Sequence, residues 1–170
     1  LPTVNTTPSV YSGTPDVSWF DQNNPKSEYV LTTADQFVGI NQIRKDTAGA
    51  VTFEGITIKL GADIVINEGT LAEIKANGNS NEDLIMTNSA HVFKGTFDGQ
   101  GHSISGVYLS TGNSYRSIFG GVSGNAVIKN FVLKDSYFTG TTAESKNYFG
   151  SIIGLINDSS ANVSLTDVTL

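Results

Sequence analysis

The 170-residue chain contains no cysteine, which excludes a disulfide framework, a thiolate metal site and a cysteine nucleophile together. Charge is scarce as well. Only 15% of residues are Asp, Glu, Lys or Arg, against about 25% in a typical soluble domain. Ten Lys and Arg face sixteen Asp and Glu, for a net charge of −6 and a pI near 4.7. With no basic cluster to offset that balance, the chain repels phosphate backbones, and nucleic acid is not an expected partner. Its two histidines are too few for a His-based zinc site. No apolar run approaches the roughly 18 residues that span a bilayer, so membrane insertion is not expected either. The chain opens at Leu1 with neither Met nor a leader segment, and is expected to be part of a longer protein.

What is abundant is glycine, 18 residues of it, together with Asn, Ser and Thr. This is the composition of a turn-rich, all-β chain, and the length suffices for one domain with a sizeable core. An acidic, cysteine-free chain of this kind fits a secreted bacterial protein.

Three regions follow from the patterning. Residues 1–16 hold three of the four prolines and no periodicity, and read as a linker or an N-terminal arm lying on the domain. Residues 17–50 read as a strand at Tyr29–Leu31 followed by one helix from about 33 to 45. Thr32 or Thr33 caps that helix, Gln36 stands where a capping box needs it, and Phe37, Ile40 and Ile43 recur at helical spacing. Such a stripe needs a surface, and the open end of a β-stack offers one, so the helix is expected to be an N-terminal cap. From residue 51 to 170, short alternating strands such as VTFEGITIKL and AVIKNFVLKD are separated by Gly, Asn, Asp and Ser.

Local patterns recur along that third region. Phe53-Glu54-Gly55 returns as Phe93-Lys94-Gly95, and Phe119-Gly120 as Phe149-Gly150. Ile104-x-x-Val107-x-Leu109 matches Ile128-x-x-Phe131-x-Leu133 and then Leu165-x-x-Val168-x-Leu170. An irregular period over a regular core pattern is the mark of a solenoid whose loops vary between rungs.

The stretch FKGTFDGQGHSISGVYL (93–109), followed by IFGGV (118–122) and VIKNFVL (127–133), resembles the surface β-helix modules of Gram-positive gut and oral bacteria. These include modules carrying the GLUG repeat, more distantly related to the pectate-lyase-like superfold. The resemblance covers roughly residues 28–170. It implies an all-β fold, a right-handed parallel β-helix with one N-terminal capping helix, on an extracellular bacterial protein. It also implies truncation at the C-terminal end, because Leu170 falls inside a rung; end-to-end self-association through that open rung is then expected.

The sharpest motif is Asp98-Gly99-Gln100-Gly101-His102. As structure it is a tight turn, with glycine supplying positive φ, Asp98 accepting from a backbone N–H two residues on, and His102 fixing the turn. As chemistry it offers an Asp–His acid–base pair, and pectin-degrading β-helix enzymes carry a similar DGxG stretch as a turn. The turn reading is preferred, and no catalytic residue is assigned. Asp63, Asp98 and Asp135 stand at comparable rung positions, and rungs about 4.8 Å apart would bring them within reach for glycoside hydrolysis. No Asp doublet or Lys/Arg motif accompanies them. A lyase base is lacking too, since Arg44 and Arg116 are isolated in a helix and a loop. Asn130 fits a stacked, backbone-satisfying asparagine. No cofactor or metal is assigned, a structural calcium on a loop being left open.

Tyr108, Tyr115, Tyr137 and Tyr148 fall at strand ends and loops, where exposed rings can stack on sugars. The expected function is therefore a non-catalytic surface module for adhesion or glycan binding, or a spacer. Its expected partners are host or dietary glycans or a surface protein. The alternative is a fragment of a β-helix polysaccharide-degrading enzyme, a glycoside hydrolase or lyase.

Overall fold

A computed structural model describes residues 7–77, 81, 84, 91–110, 115–139 and 148–170. Its first elements are β1 (Ser9–Val10), β2 (Glu28–Leu31), α1 (Ala34–Asp46), β3 (Thr57–Leu60), β4 (Ile64–Val65) and α2 (Leu71–Asn77). Then come β5 (Thr96–Asp98), β6 (Ser103–Ser105), β7 (Tyr108–Leu109), β8 (Tyr115–Arg116) and β9 (Gly121–Val122). The last are β10 (Val127–Lys134), β11 (Tyr137–Phe138), β12 (Tyr148–Phe149), β13 (Leu155–Ile156) and β14 (Ser164–Thr169). Among the described residues fourteen of the sixteen elements are strands, and every strand pairing is parallel.

The main sheet runs β1-β4-β6-β10-β5-β3-β2, with β14 also on β10. The pairs β7–β11, β8–β12 and β9–β13 form three smaller ladders. β10 is long because it serves two neighbours, its first half pairing with β5 and its second with β6. Partners are far apart in sequence: Tyr29, Ile58, Phe97, Ile128 and Leu165 lie in one register column. Alternation along each strand turns that column inward. Its first four members are at most 7% exposed, and burying such side chains contributes about 1.5–3 kcal/mol each.

The register revises part of the repeat pattern. Ile128 and Phe131 do face Leu165 and Val168. Ile104, however, faces Leu133 rather than aligning with Ile128. Phe119 donates its N–H to Ile152 O, which in a parallel ladder sets Phe119 beside Ile153, not Phe149. Apolar triplets at similar spacing recur on different edges of the core, and sequence similarity alone mixes those edges.

Helix α1 begins as its capping box dictates: Thr33 Oγ1 accepts from Gln36 N at 3.2 Å, and Gln36 Oε1 accepts from Thr33 N at 3.3 Å. It buries Phe37, Val38, Ile40 and Ile43 as the stripe predicts, but also Asn41 and Arg44. Those two polar side chains face backbone. Asn41 Nδ2 donates to Leu84 O (3.0 Å) and Ile118 O (2.9 Å), while Arg44 donates to His91 O (3.0 Å) and Phe119 O (2.9 Å) and to the Asn41 carboxamide. Residues 118 and 119 give their N–H groups to Ser151 and Ile152 on the other side. The helix thus supplies, through two side chains, donors that another strand would otherwise bring.

A second, short helix, α2, of seven residues joins the one long helix expected. Its signal is present in the sequence as Thr70-x-x-Glu73: Glu73 Oε2 accepts from Thr70 N at 2.7 Å, and Thr70 Oγ1 accepts from Glu73 N at 3.3 Å. The N-terminal segment lies on the domain. β1 pairs with β4, Tyr11 N donates to Val65 O, and Ser12 holds the Asp35 carboxylate through its N–H and hydroxyl, both at 2.8 Å. Trp19 and Phe20 pack with Tyr29 and Phe53 over the same end.

Candidate functional site

The Asp98–His102 motif forms the corner between β5 and β6. Three neighbouring segments meet there: Asp63 from the β3–β4 turn, the motif itself, and Asn130 within β10. Asp98 Oδ1 accepts from Gln100 N at 3.0 Å, closing the turn, and from Asn130 Nδ2 at 2.9 Å across to the next strand. Its other oxygen lies 3.4 Å from Lys129 Nζ. Asp63 Oδ1 accepts from Ser103 N at 2.8 Å and stands 3.3 Å from His102 Nδ1. Gln100, Asn130 and Asp167 all adopt left-handed φ, at 53°, 58° and 52°. Asn130 and Asp167 share one register position between the paired strands. Asn and Asp tolerate this conformation better than most residues, which suits them to a turn repeated between strands.

Burial works against ionisation of Asp98, but hydrogen bonds from Asn130 and the Gln100 amide, with Lys129 beside it, outweigh burial and hold the carboxyl below its ordinary range. Asp63 is likewise lowered, chiefly by the Ser103 amide and further by His102. A carboxylate whose folded pKa is depressed stabilises the fold above its unfolded pKa of about 3.9, and loses that contribution as pH falls through the folded value. Asp98, with a side chain 9% exposed, carries more of this than Asp63 at 47%. As pH falls below about 4, the unfolded carboxyl's range, the wild type is expected to lose progressively the stabilisation that ionised Asp98 contributes. Urea unfolding of Asp98→Asn should show a shallower acid loss than wild type; equal slopes would refute the assignment.

The two motif glycines serve different needs. Gly101 sits at φ 82°, with open space where a side chain would go. At Gly99 the constraint is room: a Cβ there would overlap Phe131 Cβ and lie 2.6 Å from Asn130 O. Gly99→Ala is therefore expected to destabilise by about 2–3 kcal/mol through forced backbone shifts, and Gly101→Ala by about 1 kcal/mol through strain alone. Thermal melts of the two variants check that order.

The three acids expected at comparable positions are not so placed. Asp98 shares its register position with Lys59 and Lys129. Asp63 lies beside Ser103, and Asp135 follows Lys134 at the end of β10, opposite the residue after Ser105. The spacing of acids in sequence ignores the differing lengths of the corners between strands. Among the described residues no three His, Asp or Glu side chains converge as a metal would require.

Of the tyrosines, Tyr108 and Tyr137 pair across β7 and β11 with rings stacked at 5.6 Å, and Lys75 of α2 covers the Tyr137 ring at 4.2 Å. Tyr108 is buried and Tyr137 half-buried. Tyr115 and Tyr148 pair across β8 and β12; their side chains lie outside the described residues. Arg44, which attracted attention only as an isolated base, is wholly buried, and burial pushes its guanidinium down to about 9. No helix among the described residues is long and apolar enough to cross a membrane.

Among the described residues, the strands, their parallel pairing and only two helices define a mainly parallel, all-β protein. No family model, no curated protein and no solved structure matches the chain.

Proposed function

We propose that this chain is a non-catalytic, glycan-binding or adhesive module of a secreted or surface-attached bacterial protein, built as a right-handed parallel β-helix. The architecture is supported by uniformly parallel ladders whose partners, the N-terminal β1 on β4 aside, lie 29 to 40 residues apart, as at Glu28↔Thr57 and Ile64↔Ile104. Parallel neighbours need crossovers, and crossovers within one sheet are overwhelmingly right-handed. α1 then closes the N-terminal end as a cap.

The observation that carries the functional reading is the use made of the corner. Asp63, Asp98 and Asn130 each bond to the backbone or side chains of adjacent turns, and His102 leans on Asp63. These groups hold neighbouring strands in register. What the fold offers a ligand is a rigid outer surface of Thr, Asn, Lys and carboxylate side chains. The experiment is a glycan array with the purified chain, paired with a reducing-end assay on the polysaccharides it binds. Saturable binding without release of new ends is the expected result. Release of ends that disappears in Asp98→Ala would instead make the chain part of a polysaccharide-degrading enzyme.

A further inference from the structure

A trough of about 320 Å³ runs along the corner where the chain enters β3 and β5. Its sides are Glu54, Thr57, Lys94, Thr96 and Asn125, with Ile56 as the apolar patch. Register explains the lining. Thr57 and Thr96 are partners on adjacent strands, and alternation with the buried Ile58 and Phe97 turns both hydroxyls outward. Gly95 keeps the floor open and the strands close, since a Cβ there would lie 2.6 Å from Phe53 O and 2.9 Å from Ile56 O.

The uncharged polar groups of this trough are unspent, in contrast to those of the Asp98 corner. Neither threonine hydroxyl nor the Asn125 carboxamide makes a hydrogen bond within the described chain. Lys94 Nζ stands a loose 3.6 Å from Glu54 Oε2, and the charge of Lys94 also acts on Asp158, which lies beyond it. Its methylenes run past Gly124, with Cδ 3.5 Å from where a side chain would begin there. An anionic ligand would find the cation of the trough already shared between two carboxylates, on a chain of net charge −6. A peptide would find one apolar residue and no aromatic anchor, whereas peptide and protein partners bind through buried apolar and aromatic anchors. Two hydroxyls, a carboxamide, a carboxylate and an ammonium over a small apolar patch match the alternating donors and acceptors of a neutral sugar. The volume stands at the low end of ligand cavities, about 300–1,000 Å³, and so suits a short stretch of a polymer.

We infer that this trough is a binding site for a neutral glycan, with Thr57, Thr96 and Asn125 reading its hydroxyls. The inference rests on the glycan-binding reading above and gives it a place. The test is titration calorimetry of the whole chain with cellohexaose, xylohexaose, mannohexaose and hexagalacturonate. At least one neutral hexasaccharide should bind, and hexagalacturonate should bind more weakly than that sugar. The double variant Thr57→Val/Thr96→Val keeps shape and strand propensity while deleting both hydroxyls. It should melt as wild type and bind at least about tenfold more weakly. Asn125→Ala, at an exposed turn, should weaken binding in the same direction. Unchanged affinity in both variants overturns the site while the glycan reading survives, most clearly if Tyr137→Ala abolishes binding instead. Preference for hexagalacturonate overturns the neutral-ligand assignment. No binding of any of the four probes overturns the site and the glycan reading together.

Discussion

Replacing Arg44 with alanine is expected to destabilise the protein by about 3–5 kcal/mol, because three buried neutral acceptors each lose a charge-assisted hydrogen bond worth about 1.5–3 kcal/mol, part of that being offset by removing a buried cation. The guanidinium is 0% exposed and binds the carbonyls of His91 and Phe119 as well as Asn41. Truncation leaves those acceptors buried without their donor and opens a void beside Phe93, whose ring lies 5.8 Å from the guanidinium carbon. For a chain of this size that is a fall in Tm of about 10–15 °C. Arg44→Lys should recover only part of the loss, because one ammonium cannot reproduce a planar fork reaching carbonyls on separate segments. Differential scanning calorimetry of the two variants decides the matter. Arg44→Ala melting within about 2 °C of wild type would show that the helix does not depend on this clamp.

Phe97→Ala is expected to cost about 3–5 kcal/mol, the cost of deleting a buried aromatic ring and leaving the cavity. Phe97 is wholly buried at the junction of three ring contacts, to Phe37 of α1 (5.8 Å), Phe119 (5.0 Å) and Phe131 of β10 (5.6 Å). It ties the helix to two separate strand ladders, so little can collapse into the space without moving all of them. Phe97→Leu should cost only about 1–1.5 kcal/mol, since most of the buried area is kept. Urea unfolding followed by far-UV circular dichroism tests both. A Phe97→Ala loss below about 1 kcal/mol would mean that the centre of the core lies elsewhere.

Much of the local structure was legible in the sequence because its causes are local. The helix is legible from Thr33, Gln36 and the Phe37–Ile40–Ile43 stripe, and it forms over Ala34–Asp46 with that capping box. The turn at Asp98 is legible because an Asx turn needs only the residues two positions on, and Gln100 N does bond to Asp98. The same kind of signal at Thr70 and Glu73 was available and points to α2. The all-β class is legible because period-2 patterning between short glycine-rich corners marks strands; parallel pairing was expected from the recurring patterns and the resemblance, not from the alternation.

Register and partnership could not be read this way. Whether Ile128 stands beside Phe97 or Ile104 depends on how many residues each corner takes up, and corner length carries no apolar pattern. The Asp63, Asp98 and Asp135 alignment failed for that reason. The burial of Arg44 could not be read from the helix, because its partners, the carbonyls of residues 91 and 119, are 47 and 75 residues away. Backbone acceptors leave no trace in side-chain sequence. The trough at Thr57 and Thr96 was invisible for a related cause: two ordinary threonines become a site only when a parallel ladder sets them side by side. By itself the sequence determined which segments extend, turn or coil, since those choices rest on neighbours within a few residues. Only the tertiary structure decided which polar groups are spent on holding strands together and which remain for a ligand, since that depends on contacts made across tens of residues.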